Sequence, residues 1–254
     1  MWQNVTNVIF VHMDIQDIIE HGSDYFLPNL SIDLVIIGYQ DDKLKCLLLK
    51  IADKWMLPGG YVKLDESVDE AAARILTQRT ALKDQHLKFL SVFGAKDRKF
   101  DQEFKRFFEN HGLNWKEDYW INNRFVTLAF YSLVDISKMK PIAGEFDEDI
   151  AWFSFDDMPP MWLDHQKIAD SARNRLKTDI KDELVTYNLL PGHFTMPQLH
   201  QLHQTILGQR IDRSRFQKTM LATDQFERLP QLKKESPGRN PYLYRLKGKK
   251  APKA

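Results

Sequence analysis

The stretch LPGGYVKLDESVDEAAARILTQR, residues 57–79, has the character of a tight loop followed by the start of a helix. The pair Gly59-Gly60 is typical of a turn, and the alanine-rich run after it predicts a helix from Glu66 to about Thr80. Five residues separate Gly60 from Glu66, and seven separate Glu66 from Arg74. A glycine loop that leads into a helix with acidic and basic residues at fixed spacing indicates a site of chemistry.

Segments typical of β-strands lie on both sides of this loop and helix. Runs of apolar, β-branched and aromatic residues predict four strands. The predicted strands are Ile32–Tyr39, Leu44–Ile51, Phe125–Val134 and Ala151–Phe155, and Phe89–Gly94 is a further short apolar run. Two further helices are predicted at Asp101–Asn110 and Asp164–Leu184, and either Asp65 or Ser67 can cap the helix after the glycine loop.

The last quarter of the chain has a different organisation. Thr195 can cap a helix that Gly208 ends. A second helix is predicted from Arg213 to Ala222, with Asp212 as its cap. Two short strands within residues 226–247 then flank a basic loop. Two helices followed by a basic hairpin predict a winged helix-turn-helix.

The charge of the chain is distributed unevenly. From His193 onward there are 13 Lys and Arg residues against four Asp and Glu, whereas the rest has 23 basic and 31 acidic residues. A basic module attached to an acidic body indicates a unit that binds a polyanion. A solvated, lysine-rich surface would have the same composition, so charge alone leaves both interpretations open.

In a winged helix-turn-helix the second helix enters the major groove of DNA and its first turns face the base edges. Arg and Gln side chains can read bases there, while Lys and Ser mostly contact phosphate. The candidate DNA contacts are therefore Arg213, Ser214, Arg215, Gln217 and Lys218 on the helix, and Lys233, Lys234, Arg239 and Asn240 in the wing. A small helical subdomain with a charged surface, or an RNA-binding or protein-binding adaptor, stays open as an alternative.

The loop and helix resemble the opening of the Nudix box, in which a Gly, a Glu and an Arg have this spacing and three carboxylates follow the Arg. In Nudix hydrolases those carboxylates hold Mg²⁺ against a diphosphate while water attacks phosphorus. Here the three positions carry Ile75, Gln78 and Arg79. We therefore expect no metal site and no hydrolysis, and we expect Arg79 to offer its charge to an anionic ligand.

Two other interpretations of this helix stay open. Asp69 and Glu70, one turn earlier, can stand in for the missing ligands. The chain would then be a Nudix hydrolase of a nucleoside diphosphate derivative with a basic accessory domain. Alternatively, the segment is only a capped amphipathic helix behind a tight turn, because single motif matches are weak evidence.

The order of the parts resembles the Nudix-related transcriptional regulators, which join an N-terminal Nudix-like sensor to a C-terminal winged helix. Short motifs between Ser31 and Leu246 carry the resemblance, among them Phe93-Gly94 with Asp97-Arg98 and the closing Leu243-Tyr244-Arg245. It implies an α+β protein, namely a Nudix α/β/α sandwich with a mixed sheet followed by the winged helix.

The same resemblance implies a homodimer that binds a duplex DNA operator and responds to a small effector, with no cofactor. The effectors it suggests are a sugar, a sugar phosphate or an ADP-ribose-like molecule. The expected effector-binding residues are Glu66, Arg79, Phe93, Asp97 and Arg98.

Residues 99–123 depart from that family, because a short loop is expanded into an aromatic segment that includes Phe107, Phe108, Trp115 and Trp120. This insertion can cover the cleft, enlarge a dimer interface, or pack its own aromatic rings. The expected domains are an N-terminal extension (1–30), the sensor (31–160), a connecting helix (161–190), the winged helix (191–247) and a basic tail (248–254).

The sequence also limits where the chain is expected to act. No apolar run approaches the ~18 residues needed to cross a bilayer, and the first residues lack the features of a signal peptide. Cys46 is the single cysteine, which excludes an intramolecular disulfide and a cysteine-based zinc cluster. We expect a cytoplasmic protein without membrane contact.

Overall fold

A computed structural model describes residues 15–82, 87–100, 102–144, 147–182, 185–231 and 241–247. The predicted wing residues Lys233, Lys234, Arg239 and Asn240 lie outside the described residues. The helices are α1 (Ile15–His21), α2 (Val68–Thr80), α3 (Gln102–Asn110), α4 (His165–Asp182), α5 (Met196–Leu207) and α6 (Arg213–Ala222). The strands are β1 (Phe26–Gln40), β2 (Lys43–Ile51), β3 (Lys54–Met56), β4 (Gly59–Lys63), β5 (Leu87–Phe93), β6 (Val126–Leu133), β7 (Asp149–Ser154), β8 (Phe194–Thr195), β9 (Phe226–Gln231) and β10 (Tyr242–Leu246).

The main sheet is mixed, and β1 lies at its centre. Among the described residues it has seven strands, with β3-β2-β1-β6-β5 in order, β4 paired with β1 and β7 paired with β2. Strands β1 and β6 run parallel from the pair Leu30 and Val126 to the pair Ile37 and Leu133, and the other pairings are antiparallel. A central strand buried on both faces explains the nearly continuous apolar run that predicted it.

Helices cover the two faces of this sheet. Side chains of a strand alternate between faces, so Ile32, Leu34 and Ile36 pack with α2, while Val35 and Ile37 pack with α4. This arrangement confirms the predicted α/β/α sandwich with a mixed sheet. Among the described residues, no helix is long and apolar enough to cross a membrane.

Helix α2 begins and ends at residues with clear capping geometry. Ser67 is its N-cap, and the Glu70 carboxylate accepts hydrogen bonds from the Ser67 backbone N–H (2.8 Å) and hydroxyl (2.8 Å). Ala81 ends the helix in the left-handed conformation, with φ of 57°. The Nudix box has a glycine at this position, so the backbone keeps a conformation that glycine adopts without strain.

We predict that Ala81→Gly raises the free energy of unfolding by about 1 kcal/mol, because an L-residue pays a steric cost in the left-handed region. Urea denaturation of the two proteins measures this difference. Ala73→Gly is the matched control: Ala73 is exposed within α2, and glycine there should destabilise by about 1 kcal/mol. Equal losses for both variants would contradict the assignment of strain to Ala81.

The insertion folds against the N-terminal helix and the start of β1. Its buried rings Phe107, Phe108 and Trp120 form one apolar cluster with Ile19 of α1 and Phe26 of β1. The Trp120 indole Nε1 donates a hydrogen bond of 2.7 Å to the Ile18 carbonyl, which joins the insertion to α1 directly. The insertion therefore packs its own aromatic rings, one of the three roles expected of it.

The C-terminal part consists of α5, α6 and a three-stranded sheet with order β8-β10-β9 among the described residues. Thr195 caps α5: its hydroxyl accepts a hydrogen bond from the Gln198 backbone N–H, and the Gln198 side chain accepts one from the Thr195 backbone N–H. Gly208 ends α5 in the left-handed conformation, and Asp212 caps α6. These caps are the ones that the sequence predicts. Leu176 and Ile180 of α4 belong to the same buried cluster as residues of α5, so α4 packs against both the main sheet and the winged helix.

Candidate functional site

A cavity of about 340 Å³ lies beside the glycine loop. Its lining includes Gly59, Gly60 and Tyr61 of β4, parts of β1 and β2, the insertion and α1. Six of the lining residues are Asp, Lys, Arg or His: Asp33, Arg79, Arg98, Lys99, Asp147 and His165. A concave site with an apolar lining and a few charged groups is the usual form of a small-molecule site.

Arg98 forms the charged floor of the cavity. Its side chain is only 3% exposed, so its charge needs partners. Its Nη2 donates to Asp33 of β1 (2.6 Å) and its Nε donates to Asp164 just before α4 (2.9 Å). One guanidinium therefore joins the centre of the sheet to the start of α4.

His165 makes a second connection between α4 and the glycine loop. Its Nδ1 accepts a hydrogen bond of 2.9 Å from the backbone N–H of Leu57. Burial lowers the pKa of His165 below its ordinary value, which keeps the ring neutral and leaves Nδ1 able to accept. The first residue of α4 is thus held against the loop that borders the cavity.

Arg79 projects into the cavity from α2 and forms an ion pair with Asp147. The Asp147 carboxylate also accepts a hydrogen bond from the backbone N–H of Gly144. The Arg79 side chain is 22% exposed, so it remains partly accessible despite its ion pair. A cation therefore stands where the Nudix box has a metal-binding carboxylate.

The three positions of α2 at which the Nudix box has metal-binding carboxylates carry no carboxylate in this chain. Ile75 is buried and lies against Gly60, where an added Cβ would come within 3.1 Å of it. Gln78 accepts a hydrogen bond from Arg74. Among the described residues no three His, Cys, Asp or Glu side chains converge into a possible metal site. A hard divalent ion needs several oxygen ligands, and this helix presents an aliphatic group, an amide and a cation.

Of the four acids in the loop and helix, Glu66 and Glu70 are engaged in structural bonds. Glu66 accepts from Arg74 Nε (2.9 Å) and from the Lys63 backbone N–H (2.8 Å). Partial burial raises the pKa of Glu66, but these hydrogen bonds outweigh it and hold that pKa below its ordinary value. The Glu70 carboxylate accepts the two hydrogen bonds from Ser67 that cap α2, and Asp69 is exposed.

The structure brings together two of the five predicted effector residues. Arg79 and Arg98 both line the cavity. Phe93 packs against the apolar core on the α4 side, Asp97 is exposed, and Glu66 is paired with Arg74; none of the three is part of the lining.

Sequence reasoning missed Asp33, Tyr61, Asp147 and His165 as lining residues. Asp33 carries a signal that could have been used, because a single acid within an apolar strand needs a buried cationic partner. Asp147 carries none, since its partner Arg79 is 68 residues away in the chain.

The described part of the winged helix presents a basic surface on α6. Arg213, Ser214, Arg215, Gln217 and Lys218 are all exposed, whereas Phe216 is buried. His203 of α5 packs on the Phe216 ring with centroids 4.9 Å apart, and burial lowers the pKa of His203 to about 4. The neutral histidine and Phe216 hold α6 against α5, so the polar side of α6 faces solvent.

Comparisons with known proteins match both parts of the chain. Residues 31–172 match the model of the NUDIX domain. Residues 186–246 match the model of the NrtR DNA-binding winged helix domain. The predicted order, a Nudix-type domain followed by a winged helix, is thereby confirmed.

Similar proteins include a regulator, an enzyme and a solved complex. The "ADPR responsive transcriptional repressor NtrR" of Acinetobacter baylyi is 24% identical over 83% of this chain and 79% of its own length. The ADP-ribose pyrophosphatase of Methanocaldococcus jannaschii is 24% identical over 57% of this chain and 72% of its own length. The crystal structure of Shewanella oneidensis NrtR complexed with a 27mer DNA is 26% identical, covers 86% of this chain and 93% of that chain, and has a TM-score of 0.68.

Proposed function

Since this chain belongs to the NUDIX domain family, we propose that it is a transcriptional repressor whose Nudix domain senses a ligand without hydrolysing it. The winged helix binds an operator in duplex DNA, and the protein acts as a homodimer. One combined observation carries this proposal. Helix α6 is basic and exposed, and Ile75, Gln78 and the cavity-lining Arg79 stand where the Nudix box has its catalytic carboxylates.

We propose an ADP-ribose-type nucleotide as the effector, rather than a simple sugar. The similar repressor of Acinetobacter baylyi responds to ADPR, and the cavity contains two arginines and a lysine. Phosphate groups bind strongly to guanidinium through charge-assisted hydrogen bonds. Arg79 is the main anchor in this proposal, because Arg98 already pairs with two carboxylates and is less exposed than Arg79.

The Nudix domain of this chain is proposed to bind its ligand without turnover. The residues that would have to hold Mg²⁺ are Ile75, Gln78 and Arg79, and the nearby Glu66 and Glu70 are bonded elsewhere. A hydrolase function is the alternative suggested by the similar ADP-ribose pyrophosphatase. Incubation with ADP-ribose and Mg²⁺ separates the two, and turnover that is lost in Glu70→Gln would overturn our proposal.

We predict that Arg79→Ala weakens ADP-ribose binding by roughly 10- to 100-fold, the range expected for hydrogen bonds to a charged group. Isothermal titration calorimetry on the full chain measures the effect. Arg79→Lys keeps the charge but not the planar pair of donors, so its loss should be smaller.

Arg213→Ala serves as a control on the other domain, because it alters α6 and should leave ADP-ribose affinity unchanged. The role of Arg79 would be refuted by an Arg79→Ala variant that is folded and binds ADP-ribose as tightly as the wild type. A variant that no longer folds would be replaced by Arg79→Lys, for which a smaller but measurable loss is still required.

A further inference from the structure

We infer that the insertion and α1 add a ring-binding subsite to the cavity, which takes the uncharged base of a nucleotide-type effector. This inference rests on the proposed function, because it concerns the ligand of the same cavity. It assigns to residues 99–123 and to the N-terminal helix a role in ligand specificity. The phosphate part of the ligand binds to Arg79 and Lys99, which are cations of the lining.

One wall of the cavity is formed by apolar side chains that belong to a single cluster and come mainly from these two segments, with Lys99 as the charged lining residue of the insertion. The lining residues of this wall are Ile18 and Ile19 of α1 and Phe100, Phe108, Ile121 and Phe125 from the insertion and the residues next to it. Diphosphate or sugar hydroxyl groups placed against such a wall would lose hydrogen bonds to water without replacement. A planar base can instead bury its faces against aromatic and aliphatic side chains.

The wall is held in place by specific hydrogen bonds and is therefore formed before a ligand arrives. The Tyr119 hydroxyl donates to Glu20 of α1 (2.7 Å), and the Gln16 side chain accepts from the backbone N–H of Asn114 (3.0 Å). These bonds add to the one between Trp120 and the Ile18 carbonyl. A preformed site loses less free energy to ordering when it binds a ligand.

Tyr61 connects this wall to the glycine loop. It follows Gly60 directly and lines the cavity, and its ring lies 4.9 Å from that of Trp120 and 5.7 Å from that of Phe125, centroid to centroid. The aromatic cluster thus reaches the residues that begin the Nudix box. A base held there is within the same cavity as Arg79, which fits one nucleotide-type ligand with two chemically different parts.

Phe100→Ala tests the subsite on the full chain, with ADP-ribose and ribose 5-phosphate, which lacks the base, as ligands. We expect ADP-ribose binding to weaken by roughly 5- to 100-fold, the range for removing one stacked aromatic ring. Ribose 5-phosphate affinity should change less than about twofold. Trp115→Ala is the matched control, because Trp115 is a half-buried ring of the same insertion that is not itself a lining residue, although it packs on the lining residue Phe108.

A second variant tests the same wall by filling it. Ile18 is half-buried on α1 and lines the cavity, so Ile18→Trp should block ADP-ribose more than ribose 5-phosphate while the protein stays folded. The inference is wrong if both variants weaken the binding of ADP-ribose and of ribose 5-phosphate to the same extent. It is also wrong if neither variant weakens the binding of either ligand, because the base then does not bind at this wall. A different outcome would refute the proposed function and leave the subsite intact. In that case the wild-type chain binds AMP at the wall, but ADP-ribose does not release it from DNA.

Discussion

An Arg98→Leu variant is expected to lose about 3–5 kcal/mol of unfolding free energy, the cost of leaving buried charges without their partner. The Asp33 and Asp164 carboxylates would both lose a donor, and Asp33 is only 5% exposed. Leucine cannot donate a hydrogen bond to either of them. Urea denaturation followed by tryptophan fluorescence measures the loss.

Two further variants give losses of unfolding free energy with which the loss in Arg98→Leu is compared. Arg98→Lys keeps one positive charge and should lose about half as much, because an ammonium group cannot match both carboxylates with a rigid fork. Arg173→Leu removes an arginine of α4 that pairs with the exposed Asp156 (68% exposed), and surface pairs contribute about 0–1 kcal/mol. If Arg98→Leu costs no more than Arg173→Leu, Arg98 is not the buried connection between the sheet and α4.

The second large effect is expected at α6. Reversing two exposed charges with Arg213→Glu and Arg215→Glu should weaken binding to duplex DNA by more than about 100-fold. Each contact to phosphate or base that is lost contributes about 1–3 kcal/mol, and new negative charges repel the backbone. Fluorescence anisotropy at fixed salt, with duplex DNA from upstream of the encoding gene, measures the change.

Arg106→Glu with Lys116→Glu is the charge-matched control for that experiment. Both residues are exposed and belong to the insertion rather than to the winged helix. The control should bind DNA nearly as tightly as the wild type, and its affinity should keep the wild-type dependence on salt. An equal loss in both double variants would show that only net charge matters and that α6 is not the DNA-reading helix.

The secondary structure of this chain could be predicted closely wherever the sequence contains its own boundary signals. The limits of α5 and α6 follow from short segments, because each cap bonds to residues a few positions away. These caps are Thr195 with Gln198, Gly208 and Asp212. Strand β1 was harder, since it extends from Phe26 to Gln40 and the prediction covered only Ile32–Tyr39. The extension pairs with β4, a partner that the local pattern does not reveal.

The site was less predictable because its contacts join distant parts of the chain. Arg98 lines the cavity as expected of an effector-binding residue, but its two carboxylate partners lie 65 and 66 residues away and were not predicted. The wall of the cavity depends on bonds between the insertion and α1, such as Trp120 to Ile18, which are 102 residues apart. The acid within the apolar strand indicates that Asp33 needs a cationic partner, but spacing and periodicity identify the partner in neither pairing.

Release of the protein from DNA by ADP-ribose, in the presence of Mg²⁺, tests the central claim most directly. The measurement combines anisotropy of the labelled DNA with chromatographic analysis of the nucleotide in the same sample. The account predicts that ADP-ribose weakens DNA binding, by roughly 5- to 150-fold for a typical coupling between sites, and that it is recovered intact. Hydrolysis of ADP-ribose by the wild-type chain, or DNA binding that ADP-ribose leaves unchanged, would contradict it.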